Sequence, residues 1–197
     1  MAKVYRQVVS DMSITSSKSF NDFLYAWIVL HSEEENGERY IWKRTLVFSN
    51  LETELEVSRR TLSRQFDYLV QTGLVYEKDD KWVLTDLGRR DGFPVEERIL
   101  DRLTQAHVKY LVSIYVYLAM GVDMRKRTGY WTGKMPVVFN GVKEFIGLST
   151  SSRSNSKVVV ECFDMLRQMG LMKYTLTRNN QGHTFYLLEG IGELNYF

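Results

Sequence analysis

Seven consecutive residues, Ser58 to Arg64, read SRRTLSR. Arg59, Arg60 and Arg64 bring three guanidinium groups; Ser58, Thr61 and Ser63 bring three hydroxyls, and there is no acid among them. A guanidinium is a planar fork of donors that pairs bidentately with guanine O6 and N7 or grips a phosphate. Hydroxyls such as those of Thr61 and Ser63 donate to phosphate oxygens. Contact with nucleic acid is the chemistry such a run offers. A solvated helix face is the plainer use of the same charges, so the element that carries the run has to decide.

Leu62, Phe66, Leu69 and Val70 recur at helical spacing, which predicts an amphipathic helix with these four residues on its buried side. At 100° per residue, Arg60 and Arg64 then project from the opposite face. Arg59 lies nearer the buried side but at the helix tip, where it still reaches out. Ser58 suits the N-cap, with its hydroxyl accepting a free backbone N–H. Gly73 suits the left-handed position just past the helix end.

The end of this helix, FDYLVQTGL from Phe66 to Leu74, returns 97 positions later as FDMLRQMGL, Phe163 to Leu171, with six of nine residues identical. Upstream, FSNLETELEVS (Phe48 to Ser58) aligns with FNGVKEFIGLS (Phe139 to Ser149) at an offset of 91. The six extra residues fall in the polar stretch STSSRSNS, Ser149 to Ser156. A long unit is therefore duplicated, with one insertion. Each copy has the same predicted order. An apolar helix comes first, over Phe20–Ser32 and again over Ala106–Met120. A short helix follows, then a turn, a longer helix, a glycine (Gly73, Gly170) and a β-hairpin. The hairpins are Leu74 to Thr85 and Leu171 to Leu188, the second turning through Asn179, Asn180 and Gly182.

Over Phe48 to Thr85, the segment LETELEVSRRTLSRQFDYLVQTGLVYEKDDKWVLT resembles the winged helix-turn-helix domains of bacterial regulators such as the GntR and MarR families. The V-S-R-x-T-L turn and the L-x-x-x-G-L helix end carry that resemblance. Copy two matches the frame and departs at the recognition turn. The pair is similar to tandem winged-helix proteins, notably plasmid and phage replication initiators. The resemblance implies a mainly α fold with small β-hairpins (α+β), in two tandem winged helix-turn-helix domains over 1–90 and 106–197. Residues 91–105 are a linker or connecting helix, with Pro94 suiting its first turn. It also implies that the N-terminal part of the third helix of copy one enters a DNA major groove.

Copy two carries different chemistry. Ser156, Lys157 and Glu161 fall where copy one has Arg59, Arg60 and Arg64, and Val158 and Val160 replace Thr61 and Ser63. Val158 and Val160 are open to a second use as a partner surface. The insertion adds Arg153 and Asn155 in a serine-rich turn, which either touches the DNA backbone or is a mobile loop. Its hairpin tip, with Arg178, Asn180 and His183, is basic and polar; it either lies along a groove or is an ordinary turn. The tip of copy one, Glu77 to Lys81, is net acidic and a poor probe of a groove. Arg125, Lys126, Arg127 and Lys134 surround Tyr130 and Trp131, a pattern shared by nucleic-acid sites and by a strand returning to the core.

Other classes are disfavoured. His31, His107 and His183 are scattered, Cys162 is alone, and no phosphate loop, GxSxG elbow or metal signature occurs, so neither catalysis nor a cofactor is expected. Glu33 to Glu35 reads as a solvated loop. The chain of 197 residues, 44% hydrophobic and 25% charged, with a formal charge of +2, has ordinary globular composition. It shows neither a membrane-length apolar run nor a signal peptide. The expectation is a cytoplasmic, nucleoid-associated protein whose partner is double-stranded DNA, with a second copy or a replication or segregation protein as further candidates. The rival expectation is a protein-interaction scaffold, as in chromosome-segregation complexes.

Overall fold

The computed structural model describes residues 2–5, 23–85 and 92–192. Among them are seven helices and three small antiparallel sheets, an α+β arrangement. The chain divides into two compact units, Met1–Val112 and Ser113–Phe197. The boundary falls seven residues beyond the end of the expected connecting segment.

In unit 1 the strand β1 (Ala2–Tyr5) pairs antiparallel with β6 (Gly92–Val95). Helix α1 (Phe23–Leu30) buries every residue from Phe23 to Val29. A helix that is apolar all round needs cover on every side, and α1 is packed by β1, by α3 (Arg59–Gln71) and by α4 (Glu97–Gln105). Of the two alternatives for 91–105, linker or connecting helix, Glu97–Gln105 is helical, while the start of the segment is a strand and the whole of it belongs to unit 1. Gly92–Val95 is a strand, Pro94 lies within it opposite Lys3, and α4 buries Ile99, Leu100, Leu103 and Thr104. Helix α2 (Phe48–Glu54) is tied to α1 by Trp27, whose indole N–H donates to Glu54 Oε1 at 2.6 Å.

A four-stranded sheet completes the unit, in the order β2 (Glu33–Glu35), β3 (Glu38–Trp42), β5 (Lys81–Leu84), β4 (Val75–Lys78). The acidic run expected as a loop is thus strand β2. Its turn, Asn36-Gly37, has both φ angles positive, at 53° and 79°, the two-residue geometry that suits the twist of a hairpin.

Unit 2 repeats most of this plan. Helix α5 (Leu111–Arg127) starts and ends later than the expected Ala106–Met120. The short helix α6 (Phe139–Phe145) and the long helix α7 (Arg153–Gln168) follow. The sheet order is β7 (Met135–Pro136), β9 (Thr184–Ile191), β8 (Met172–Arg178). In both units the strand ahead of the short helix pairs with the second strand of the hairpin.

The duplication extends to core contacts. Phe48 meets Phe66 edge-on at 5.7 Å, and the matched pair Phe139 and Phe163 does the same at 5.5 Å. Phe66 also packs on Trp82, and Phe163 on Tyr186. Both long helices end alike. Leu74 N–H donates to Leu69 O and Gly73 N–H to Val70 O; Leu171 donates to Leu166 and Gly170 to Arg167. With Gly73 and Gly170 at φ of 70° and 67°, these are Schellman ends that demand glycine.

Candidate nucleic-acid interface

Helix α3 carries the arginine run. Arg59, Arg60 and Arg64 are exposed, Thr61 and Ser63 half-buried, and none of the three arginines forms an ion pair with another described residue. The buried side is Leu62, Gln65, Phe66 and Leu69. Val70, expected on that side, is 39% exposed. The covered arc therefore takes in Gln65 rather than Val70.

The start of α3 also differs from expectation. Ser58 precedes the helix, but its hydroxyl makes no capping bond; its Oγ lies 3.0 Å from Thr61 Oγ1. The Arg59 N–H, at the first helical position, donates to Glu52 Oε1, at 2.8 Å, from the preceding helix α2. A carboxylate is a stronger acceptor than a hydroxyl and also meets the positive end of the helix dipole.

The matched position in unit 2 is Lys143, and the interaction inverts. Lys143 is buried, and its ammonium donates to Thr150 O at 3.0 Å and to Ser152 O at 3.4 Å. The same helix position thus fastens the turn ahead of each long helix, by acceptor in unit 1 and by donor in unit 2. Sequence reasoning missed both residues. The available signal was the opposite charge of Glu52 and Lys143 at matched positions of the repeat.

That clamp sorts the six-residue insertion into two parts. Arg153 and Asn155 are not in a loop; α7 begins at Arg153, three residues ahead of the position matched to Arg59. The helix is longer there by about 4.5 Å at 1.5 Å per residue. Asn155 Nδ2 donates back to Ser149 O at 2.9 Å, closing the remaining turn. Arg153, Lys157, Glu161 and Asp164 are all exposed, at the spacing of one helix face. The stripe is basic at its start and acidic beyond. Arg60, Arg64 and Asp67 run the same way on α3. Val158 and Val160, considered as a partner surface, are half-buried on either side of the core residue Val159.

The hairpin tips contrast as their sequences imply. Around tip one, Lys78 pairs with Glu38 at 2.8 Å, Lys81 with Glu35 at 3.6 Å, and Lys43 with Glu77. The Lys78 hydrogen bond holds the Glu38 carboxyl below the usual carboxylate range. Those cations are spent within the sheet. In tip two, Asn179 Oδ1 accepts from the N–H of Gln181 and of His183, at 3.0 and 2.9 Å, and so builds the turn. Asn180 and Arg178 are exposed, and Arg178 is free of an ion pair with the described residues.

Cys162 is buried. His31 stacks on Trp27 at 4.0 Å, and His107 lies against Phe23 and within 3.6 Å of Glu56. No group of three or more potential metal ligands occurs among the described residues, and none of their helices is long and apolar enough to cross a membrane. Comparison with known proteins finds no matching family model, curated protein or solved structure.

Proposed function

We propose that this chain binds double-stranded DNA in a sequence-specific manner through two winged helix-turn-helix units. One observation carries the reading. The start of α3 presents Arg59, Arg60 and Arg64 to solvent without carboxylate partners, on a helix clamped by the preceding short helix and followed by a hairpin. In that frame α3 enters the major groove, with Arg60 and Arg64 on base edges and Ser58, Thr61 and Ser63 toward phosphates. Unit 2 extends the footprint through Arg153, Asn155 and Lys157, while Arg178 and Asn180 at its hairpin tip lie against the backbone. A plasmid- or phage-type replication initiator and a transcription regulator both use such a pair, and differ in what they recruit.

The second reading, a protein-interaction scaffold, is favoured by the acidic far ends of both stripes and by the exposed Val138 and Leu176. Selection of duplexes from a random-sequence pool, followed by affinity measurement at several salt concentrations, separates the two. Wild type should enrich a defined site. Arg60→Ala with Arg64→Ala should melt within about 0.5 kcal/mol of wild type yet lose roughly 1–3 kcal/mol of discrimination for each base contact. Lys157→Ala with Glu161→Ala should cost less. Arg178→Ala should weaken cognate and random duplexes alike and reduce the salt slope by about one. If wild type enriches no duplex sequence, the scaffold reading replaces this one.

A further inference from the structure

In each unit a connection leads from the first helix to the strand that pairs with the second hairpin strand. The two connections have opposite chemistry. Unit 1 has the β2–β3 hairpin, with Glu33, Glu34, Glu35 and Glu38. Unit 2 has RKRTGYWTGK, Arg125 to Lys134: four cations, two aromatic rings and no acid. Cations in the last turn of α5 oppose its dipole, which accounts for part of the run. It does not account for Tyr130, which is 73% exposed and has no hydrogen-bond or ring partner among the described residues.

The backbone beneath this ring is tied down. Thr128 Oγ1 donates to Met124 O at 2.8 Å, Gly129 N–H to Lys126 O at 3.3 Å, and Trp131 N–H to Arg125 O at 3.1 Å. Trp131 is half-buried, with the Lys126 ammonium 5.9 Å from its ring centre. Arg127 pairs with Asp123 at 2.9 Å, and Lys134 with Glu189 at 3.3 Å. Arg125 and Lys126 have no carboxylate partner among the described residues.

We propose that this connection is a binding site for unpaired nucleotides of single-stranded nucleic acid. Tyr130 is the flat platform on which a base stacks, and Arg125 and Lys126 neutralise the flanking phosphates. A base offers its face only when unpaired and unstacked; in a duplex its neighbours cover it. An acidic peptide would satisfy the cations and leave the ring unused. The matched hairpin of unit 1, lined with glutamates, would repel a phosphate chain.

The test is fluorescence anisotropy with a short labelled oligo(dT). Wild type should bind with a salt-dependent affinity. Tyr130→Phe should retain that affinity, and Tyr130→Ala should weaken it roughly 5- to 150-fold. Arg125→Gln with Lys126→Gln should reduce the salt slope by about 1.4, two phosphate contacts on a single strand. Circular dichroism should show a near-wild-type melting curve for the Tyr130 variants, since Tyr130 is 73% exposed and has no hydrogen-bond or ring partner among the described residues. Unchanged oligo(dT) affinity in Tyr130→Ala overturns the proposal. So does displacement of oligo(dT) by polyglutamate that is indifferent to Tyr130, which would make the patch a site for an acidic protein. The double-stranded reading is independent: Arg60→Ala with Arg64→Ala should leave oligo(dT) binding intact, whether or not α3 reads a duplex.

Discussion

Gln65 sits beside Arg64 on α3, yet its side chain faces inward. It is 1% exposed, and neither Nε2 nor Oε1 has a hydrogen-bond partner among the described residues. Its counterpart in unit 2 is Cys162, equally buried and able to pack as a small apolar group. A buried polar group without a partner costs about 1–3 kcal/mol. Methionine is unbranched, close to glutamine in length and adaptable in packing, so Gln65→Met should remove the penalty without leaving a cavity. Allowing up to about 1 kcal/mol for imperfect repacking, unit 1 should gain about 1–2 kcal/mol. For a domain of roughly this size, each 1 kcal/mol raises the melting temperature by about 4–8 °C. Urea unfolding followed by tryptophan fluorescence measures the change, because Trp27, Trp42 and Trp82 all lie in unit 1. The midpoint should rise with an unchanged slope. Gln65→Ala removes the same polar atoms but opens a void, so it should be less stable than Gln65→Met. Unfolding of Gln65→Met at lower urea than wild type would refute the reasoning, because it would mean that the amide is satisfied in solution.

Three further outcomes follow from the clamps and the strained positions. Glu52→Ala removes the acceptor of the Arg59 N–H and should lower unit 1 stability by about 0.5–2 kcal/mol in thermal melts; an unchanged melt would show that the N–H is served by another group. Glu56 holds φ of +52° where unit 2 has Gly147 at +70°. Both Glu56→Gly and Glu56→Ala lose the His107 contact, and the glycine variant should be the more stable by about 1 kcal/mol, since only it relaxes the left-handed backbone; the reverse order would contradict that conformation. Burial, and then the 2.6 Å hydrogen bond to Asp164, push the Tyr174 hydroxyl up to about 12. An unfolded tyrosine ionises near pH 10, so this group's contribution to stability is complete below about pH 10 and is lost as pH rises toward 12. Tyrosinate absorbance should show a late step that is missing in Tyr174→Phe, and a titration with no such step would sink the assignment.

Local patterns made much of this protein legible in its sequence. Helical spacing located α2, α3 and α6, the repeat carried α3 over to α7, and glycine chemistry located the Schellman ends at Gly73 and Gly170, because each is read from a few adjacent residues or from their recurrence. Exposure of the α3 arginines was legible for the same reason. The Asn36-Gly37 turn was equally local and strong, and the β2–β3 hairpin is a signal present in the sequence but overshadowed by its run of glutamates. What tertiary structure decided is non-local. The segment over 91–105 belongs to unit 1 because α1 is apolar on all sides and a fourth helix must cover it. The buried arc of α3 takes in Gln65 and leaves out Val70 because the elements packed around the helix, rather than residue type, set which face is covered. The Ser58 hydroxyl lies against Thr61 rather than capping, and the first N–H of the helix is taken by Glu52, whose proximity in space no spacing rule encodes. The sequence placed the insertion between Ser149 and Ser156; the tertiary structure divided it into a turn, held by the buried Lys143 ammonium on the carbonyls of Thr150 and Ser152 and by Asn155 on Ser149, and the first turn of a helix.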